Sequence, residues 1–234
     1  MASLKGRLCV AKILAVARVN KMRKVLLFAV CVLFLAAGAA QADSLYVGTN
    51  YSTVYGIESG NPVAVGGGSV DISILNNTPL PYVYCVGLFT DVYVGQTYGQ
   101  TSVTNNGIVN GSLVNNAPQI ASLLQTYGAG GQGVPAQILQ AAIWTLEYGA
   151  SAFRLDTSKY GASDVSLYNS MITSPGTGTL ANFYWMTPTD GNGTVYQGLV
   201  APVPIPGAFM LLGPGLLGLV GLRKRLGCKS SLTQ

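Results

Sequence analysis

Two short apolar segments bracket this chain and decide how much of it is available to fold. Residues 25–37 form an uninterrupted apolar run behind the positive tripeptide Met22-Arg23-Lys24, and Ala40-Gln41-Ala42 follows with a small-x-small pattern. That order, positive start, short apolar stretch and small-residue site, is the pattern of an export signal cleaved by signal peptidase. The run falls short of the roughly 20 residues of a spanning helix, so residues 1–42 read as a signal peptide with cleavage between Ala42 and Asp43. Initiation at Met22 would leave the same signal intact. At the other end, residues 208–222 are apolar and glycine-containing, between the proline-rich "APVPIPG" and Arg223-Lys224-Arg225. A run this short suits a helix that holds the chain in a membrane transiently, its basic end on the cytoplasmic side.

Removing the ends reverses the charge. Of 13 Lys and Arg, the body between the two segments keeps only Arg154 and Lys159, against all 8 acids. The basic character therefore belongs to sorting segments, and a nucleic-acid-binding body is excluded. Residues 43–206 are enough for one domain with a real core. Cys9 and Cys31 leave with the signal and Cys228 lies in the tail, so Cys85 is alone and no intramolecular disulfide is available. A single cysteine in an exported domain points to intermolecular pairing or to a functional thiol. Histidine is absent, which removes Ser-His-Asp and Cys-His catalysis and most zinc sites. No paired carboxylates are placed for hydrolysis, and neither a cofactor nor a metal is implied.

The body opens with the β-prone runs "SLYVG", "YSTVYGI" and "SVDISIL", with "VGGGS" as a turn among them. "PYVYCVGLFTDVYVG" reads as the longest and most apolar strand. A helix follows, capped by Asn116, with Pro118 in its first turn and Gly128 as terminator. "YGAGGQG" lacks the Gly-Lys-Ser/Thr ending of a phosphate loop. A second helix runs from about Pro135 to Gly149, with Leu139, Ala142, Ile143 and Leu146 as its apolar face; Gln140, Trp144 and Glu147 form a neighbouring stripe. A third starts at a Ser163 cap and reaches Ile172. The chain returns to β with "ANFYWMT", a turn at "DGNG" and "TVYQGLV". Asp190 to Gly193 lacks the ligand spacing of a calcium loop. Strands, helices, then strands around one core predict an α+β fold, a β-sandwich or barrel-like domain over residues 43–200 with a helical insertion. A stiff linker begins at Ala201.

A use for the lone thiol follows from its chemistry. A sulfur nucleophile held beside a side-chain amide, away from water, can displace ammonia and leave a thioester. The partner must be a glutamine fixed on a rigid element; Gln140, beside Trp144, fits best, with Gln137 and Gln125 as alternatives. The ordinary reading stands next to it, because a free cysteine is among the most buried of residues and an apolar strand is a common home for one.

Two resemblances sharpen both points. "VPIPGAFMLLGPGLLGLVGLRKR" resembles a PEP-CTERM sorting signal, the bacterial tail recognised by exosortases. Pro204-Ile205-Pro206 stands where that family has Pro-Glu-Pro or a similar triplet, with an aliphatic residue replacing the acid. The resemblance implies a sorting motif in residues 201–206, an apolar helix and basic stop in 207–226, and a tail in 227–234. It also implies signal peptidase and exosortase as processing partners, and a destination on the surface or in the extracellular matrix of a bacterium with an outer envelope. "YCVGLF" and "LQAAIW" in turn resemble the two signatures of the TQXA-type thioester domains of bacterial surface adhesins. The match carries over as Tyr84, Cys85 and Val86, and as Gln140, Ala142, Ile143 and Trp144. The chain departs from that pattern at Leu139, where the family has threonine, and at Gly87, where an acid is common. The resemblance implies a Cys85–Gln140 thioester, shielded by Tyr84, Trp144 and Tyr148, with Glu147 assisting proton transfer. It would react once with an amine-bearing protein or matrix target, without turnover. The alternative is a non-reactive structural or binding component of an exopolysaccharide biofilm matrix.

Overall fold

A computed structural model describes residues 42–129 and 131–204. The expected signal peptide, Ile205, Pro206, Arg223, Lys224 and Arg225 lie outside the described residues. The chain forms β1 (Asp43–Tyr46), β2 (Asn50–Glu58), β3 (Asn61–Asp71), β4 (Ile74–Leu75), β5 (Thr78–Pro79), β6 (Tyr84–Cys85), β7 (Thr97–Thr104), β8 (Ile108–Val109) and β9 (Ser112–Leu113). Then come α1 (Ala117–Tyr127), α2 (Val134–Tyr148), β10 (Phe153–Leu155), α3 (Ala162–Thr173), β11 (Phe183–Thr187) and β12 (Leu199–Pro202).

Helix and sheet are mixed, as expected. The larger sheet is a curled antiparallel half-barrel of seven strands in the order β5-β4-β1-β7-β11-β12-β6. A three-stranded antiparallel sheet, β10-β2-β3, stands beside it. The central helix α2 packs on β2, β3 and β10 and is flanked by α1 and α3. Its residues from Ile138 to Thr145 are buried without interruption, so it has no solvated stripe. A helix apolar on all sides belongs inside a core rather than on it.

The helix limits match their sequence signals closely, but their caps do not. Asn116 precedes α1 with φ 52° and makes no side-chain capping bond. Its Nδ2 donates instead to the Leu146 carbonyl at 2.7 Å, and Asn115 Nδ2 donates to the Glu147 carbonyl at 2.9 Å. Two consecutive asparagines thus satisfy carbonyls in the last turn of α2 that have no partner within their own helix. They tie the two helices together. Gly161, rather than Ser163, precedes α3.

Three strand expectations need correction. "VGGGS" is not a turn but the interior of β3; the chain reverses before it, at Ser59 and Gly60, both with positive φ. The long strand expected around Cys85 is ladder-paired only at Tyr84 and Cys85, because helix side chains replace the neighbouring strand beyond that point. Ala201 and Pro202, expected to begin a stiff linker, belong to β12 instead: Ala201 pairs with Tyr184 and Pro202 with Phe183. The "DGNG" turn is present, with Asp190 Oδ1 accepting from the Asn192 and Thr194 amides at 2.9 and 2.8 Å. That carboxylate is committed to the turn.

Candidate functional site

β6 is the last strand of the half-barrel, so one side of its backbone has no strand to pair with. Val86 N donates to Gly198 O on the β12 side at 2.7 Å. Successive residues of a strand face alternate neighbours, so Val83 and Cys85 turn their polar groups the other way. Val83 O is taken by Val70 N of β3 at 2.8 Å. Past this point β3 and the chain beyond Cys85 diverge, and α2 fills the gap.

Gln140 is inserted there like a short piece of strand. Cys85 N donates to its Oε1 at 3.0 Å, and its Nε2 donates to Cys85 O at 2.6 Å. Only one orientation of the amide satisfies both bonds. Gln140 is fully buried and Cys85 is 3% exposed. The carboxamide carbon is therefore fixed against the residue that carries the sulfur. Sequence order alone separated the two by more than fifty positions.

The same helix face continues the ladder. One turn on, Trp144 Nε1 donates to Gly87 O at 3.2 Å, and one turn further Leu88 N donates to the Tyr148 hydroxyl at 3.2 Å. Residues four apart share a helix face, so Gln140, Trp144 and Tyr148 are three rungs against the backbone from Cys85 to Leu88. The Trp144 ring also meets Phe153 edge-on, at 5.2 Å between centroids. The sequence stripe had Glu147 in the place that Tyr148 occupies.

Glycine is needed opposite these rungs. A methyl group on Gly67 would lie 2.8 Å from Gln140 Cγ and 2.9 Å from the Trp144 ring. Both neighbours are buried, and both are held by hydrogen bonds to the Cys85 segment. Gly67→Ala is expected to cost about 1–3 kcal/mol by overpacking and to displace the Gln140 amide from Cys85. Chemical denaturation, together with loss of the Trp144 indole N–H shift of the wild type, would check it. Gly87 is confined as well: a methyl there would lie 3.1 Å from Gly198 N and 3.1 Å from Thr90 Oγ1.

The remaining expected residues are dispersed. Ala142 and Ile143 are fully buried packing residues. The Tyr84 hydroxyl donates to Gly128 O at 3.4 Å and its ring meets Tyr82, on the face of the strand opposite the Cys85 side chain. It packs the core instead of roofing the sulfur. Glu147 lies two turns from Gln140, about 10 Å along the axis. Its carboxyl accepts from the Asn115 backbone amide at the start of α1, which is no position from which to assist Cys85.

Burial sets the protonation of both groups. It pushes the Cys85 thiol up to about 12, so the sulfur is held as a thiol at neutral pH. Burial also raises the Glu147 carboxyl to about 7, against the hydrogen bond from Asn115, and leaves one of its oxygens unpartnered. A carboxyl raised on folding gives stability that is full below its unfolded value, near 4.5, and lost as pH rises through the folded value. Glu147→Gln is therefore expected to flatten the pH dependence between about 4.5 and 7. The gain at neutral pH is on the order of 1 kcal/mol, discounted because the group is partly exposed. Thermal melts of both proteins across that range test it.

Cys85 also lines a cleft of about 470 Å³ between β3 and the segment beyond β6. Gly67, Cys85 and Trp144 contribute to its lining, as does Gln197, which is 8% exposed and donates through Nε2 to Gly87 O. No family model, curated protein or solved structure matches this chain. The site must be judged on its own geometry. That geometry brings together Cys85, Gln140, Trp144 and Tyr148 from the residues singled out by sequence, and adds Gly67 and Gln197. Gln197 carried no sequence signal, since nothing marks one glutamine among several in a polar β-prone run.

Proposed function

We propose that Cys85 and Gln140 form an internal thioester, and that the protein is an exported, exosortase-sorted surface or matrix component that attaches covalently to amine-bearing partners. In this reading the half-barrel and its helices are the reactive domain, a β-sandwich or barrel-like unit with a helical insertion. The signal peptide and the PEP-CTERM-like segment flank it. The observation that carries the reading is the double hydrogen bond between the Gln140 carboxamide and the Cys85 backbone, in a buried site beside an open cleft.

The chemistry balances within the pair. The Cys85 sulfur adds to the Gln140 amide carbon, the C–N bond breaks, and the thiol proton leaves with the nitrogen as ammonia. The Cys85 N–H already points at Oε1, the oxygen on which negative charge gathers during the addition. Because burial keeps the sulfur protonated, proton transfer to the leaving nitrogen accompanies attack. In the second stage an amine attacks the thioester carbon, an amide forms at Gln140, and the sulfur regains a proton. Trp144 and the buried surroundings keep water from the acyl carbon. Each molecule reacts once, so this is not enzymatic turnover.

Methylamine tests the reading. The purified protein is expected to gain one methylamine on the peptide carrying Gln140, with Cys85 becoming alkylatable in the same molecules. No incorporation, with Cys85 alkylated in untreated protein once it is unfolded, would contradict it. The second reading would then hold: the two hydrogen bonds also satisfy the open edge of β6. Gln140 would be a structural strand mimic in a non-reactive component of a biofilm matrix.

A further inference from the structure

The lining of the cleft is uneven in character. Its floor, at Gly67, Cys85 and Trp144, is buried, with Gln140 held directly behind Cys85. Its outer lining includes Asp91, exposed, with Tyr51 and Tyr93 at 52% and 56% exposure. Tyr51 is held over the glycine-rich part of β3, where its ring is the nearest group to Gly66. Tyr93 is braced by Tyr196, at 6.1 Å between centroids, and the Tyr98 hydroxyl accepts from its amide at 2.8 Å. Neither Arg154 nor Lys159, the two bases of the described residues, lines the cleft. Asp91 is the one charged side chain that does.

A carboxylate that shares a cleft's lining with two exposed aromatic rings is a place for a cation, and among the described residues no base lines this entrance to compensate an anion. We infer that the cleft selects its amine by charge: Asp91, with Tyr51 and Tyr93, holds a second positive charge of the incoming partner, so that a basic peptide segment is captured ahead of neutral or acidic amines. The attacking amine must travel to the apolar floor unprotonated, having left its proton in solvent. A neighbouring cation on the same partner can stay at the mouth while the amine reaches the acyl carbon. The covalent step rests on the thioester reading; the entrance itself does not, and can be tested without it.

Cadaverine, pentylamine and δ-aminovalerate present the same chain with a cationic, neutral or anionic far end. Incorporation into the purified protein at low salt is expected to fall in that order, by up to about fivefold per step, as suits an exposed ion pair. Asp91→Asn should collapse the order, and added salt should compress it. Equal rates, or an order that survives Asp91→Asn, would overturn the inference. If intact mass shows that no thioester forms, the function proposed above fails separately. The entrance is then read on Cys85→Ala protein from the Trp144 indole N–H resonance. Stronger binding of cadaverine than of pentylamine, lost in Asp91→Asn, supports it; no shift, or equal binding of the two, overturns it.

Discussion

Replacing Gln140 with alanine is expected to cost the domain about 3–5 kcal/mol relative to protein in which the thioester has not formed, and to abolish both ammonia loss and amine capture. The stability cost comes from the edge of β6. Cys85 N–H and C=O are buried and have the Gln140 amide as partner, and each buried backbone group left unpaired costs about 1–3 kcal/mol. The cavity left by the missing side chain adds to this. Cys85→Ala is the contrasting variant. Against protein in which the thioester has not formed, it keeps the backbone and both hydrogen bonds and removes one sulfur, so it should cost only about 1 kcal/mol; it abolishes the chemistry just as completely. Urea titration of the two variants separates the roles. A mild Gln140→Ala and a severe Cys85→Ala would show that the pair is not held as described.

Trp144→Ala is expected to be comparably damaging, at about 3–5 kcal/mol. The ring is 1% exposed and stacked edge-on with Phe153. Its loss opens a cavity between β3 and the Cys85 segment. Gly87 O would retain its bond from Gln197, so the loss is one of packing more than of hydrogen bonding. Any thioester still formed should hydrolyse faster, because water gains a route to the acyl carbon. Denaturation midpoints give the first effect, and the decay of methylamine reactivity with storage time gives the second. Unchanged reactivity over time would remove the shielding role assigned to the ring.

The helices were legible because helical periodicity and punctuation act within a dozen residues. Pro118 and Pro135 in first turns, and Gly128 and Gly149 after the last, mark their ends almost to the residue. The Gln140–Trp144 stripe was legible for the same reason. What it faced was not. Sequence counted the stretch around Cys85 as a long strand from its β-branched and aromatic content, yet strand pairing depends on a neighbour that composition does not reveal. Here that neighbour is a helix. The glycines of β3 misled in the opposite sense: read as a turn, they lie inside a strand, and Gly67 is required because Gln140 and Trp144 of α2 press on it. β7 escaped notice because its buried positions, Tyr98 and Thr101, make no apolar alternation. Glu147 and Tyr148 are adjacent in sequence, and only the direction in which α2 crosses the strand decides which of them is the third rung.

The central claim is a covalent bond between Cys85 and Gln140, and intact mass of the folded, purified protein tests it most directly. Measured beside Cys85→Ala and Gln140→Ala, the wild type should be lighter by one ammonia than its sequence requires after processing. Both variants should show their full masses. A wild type at full mass, offset from each variant by the substitution alone, would contradict the account and leave Gln140 as the buried amide that closes the edge of a sheet.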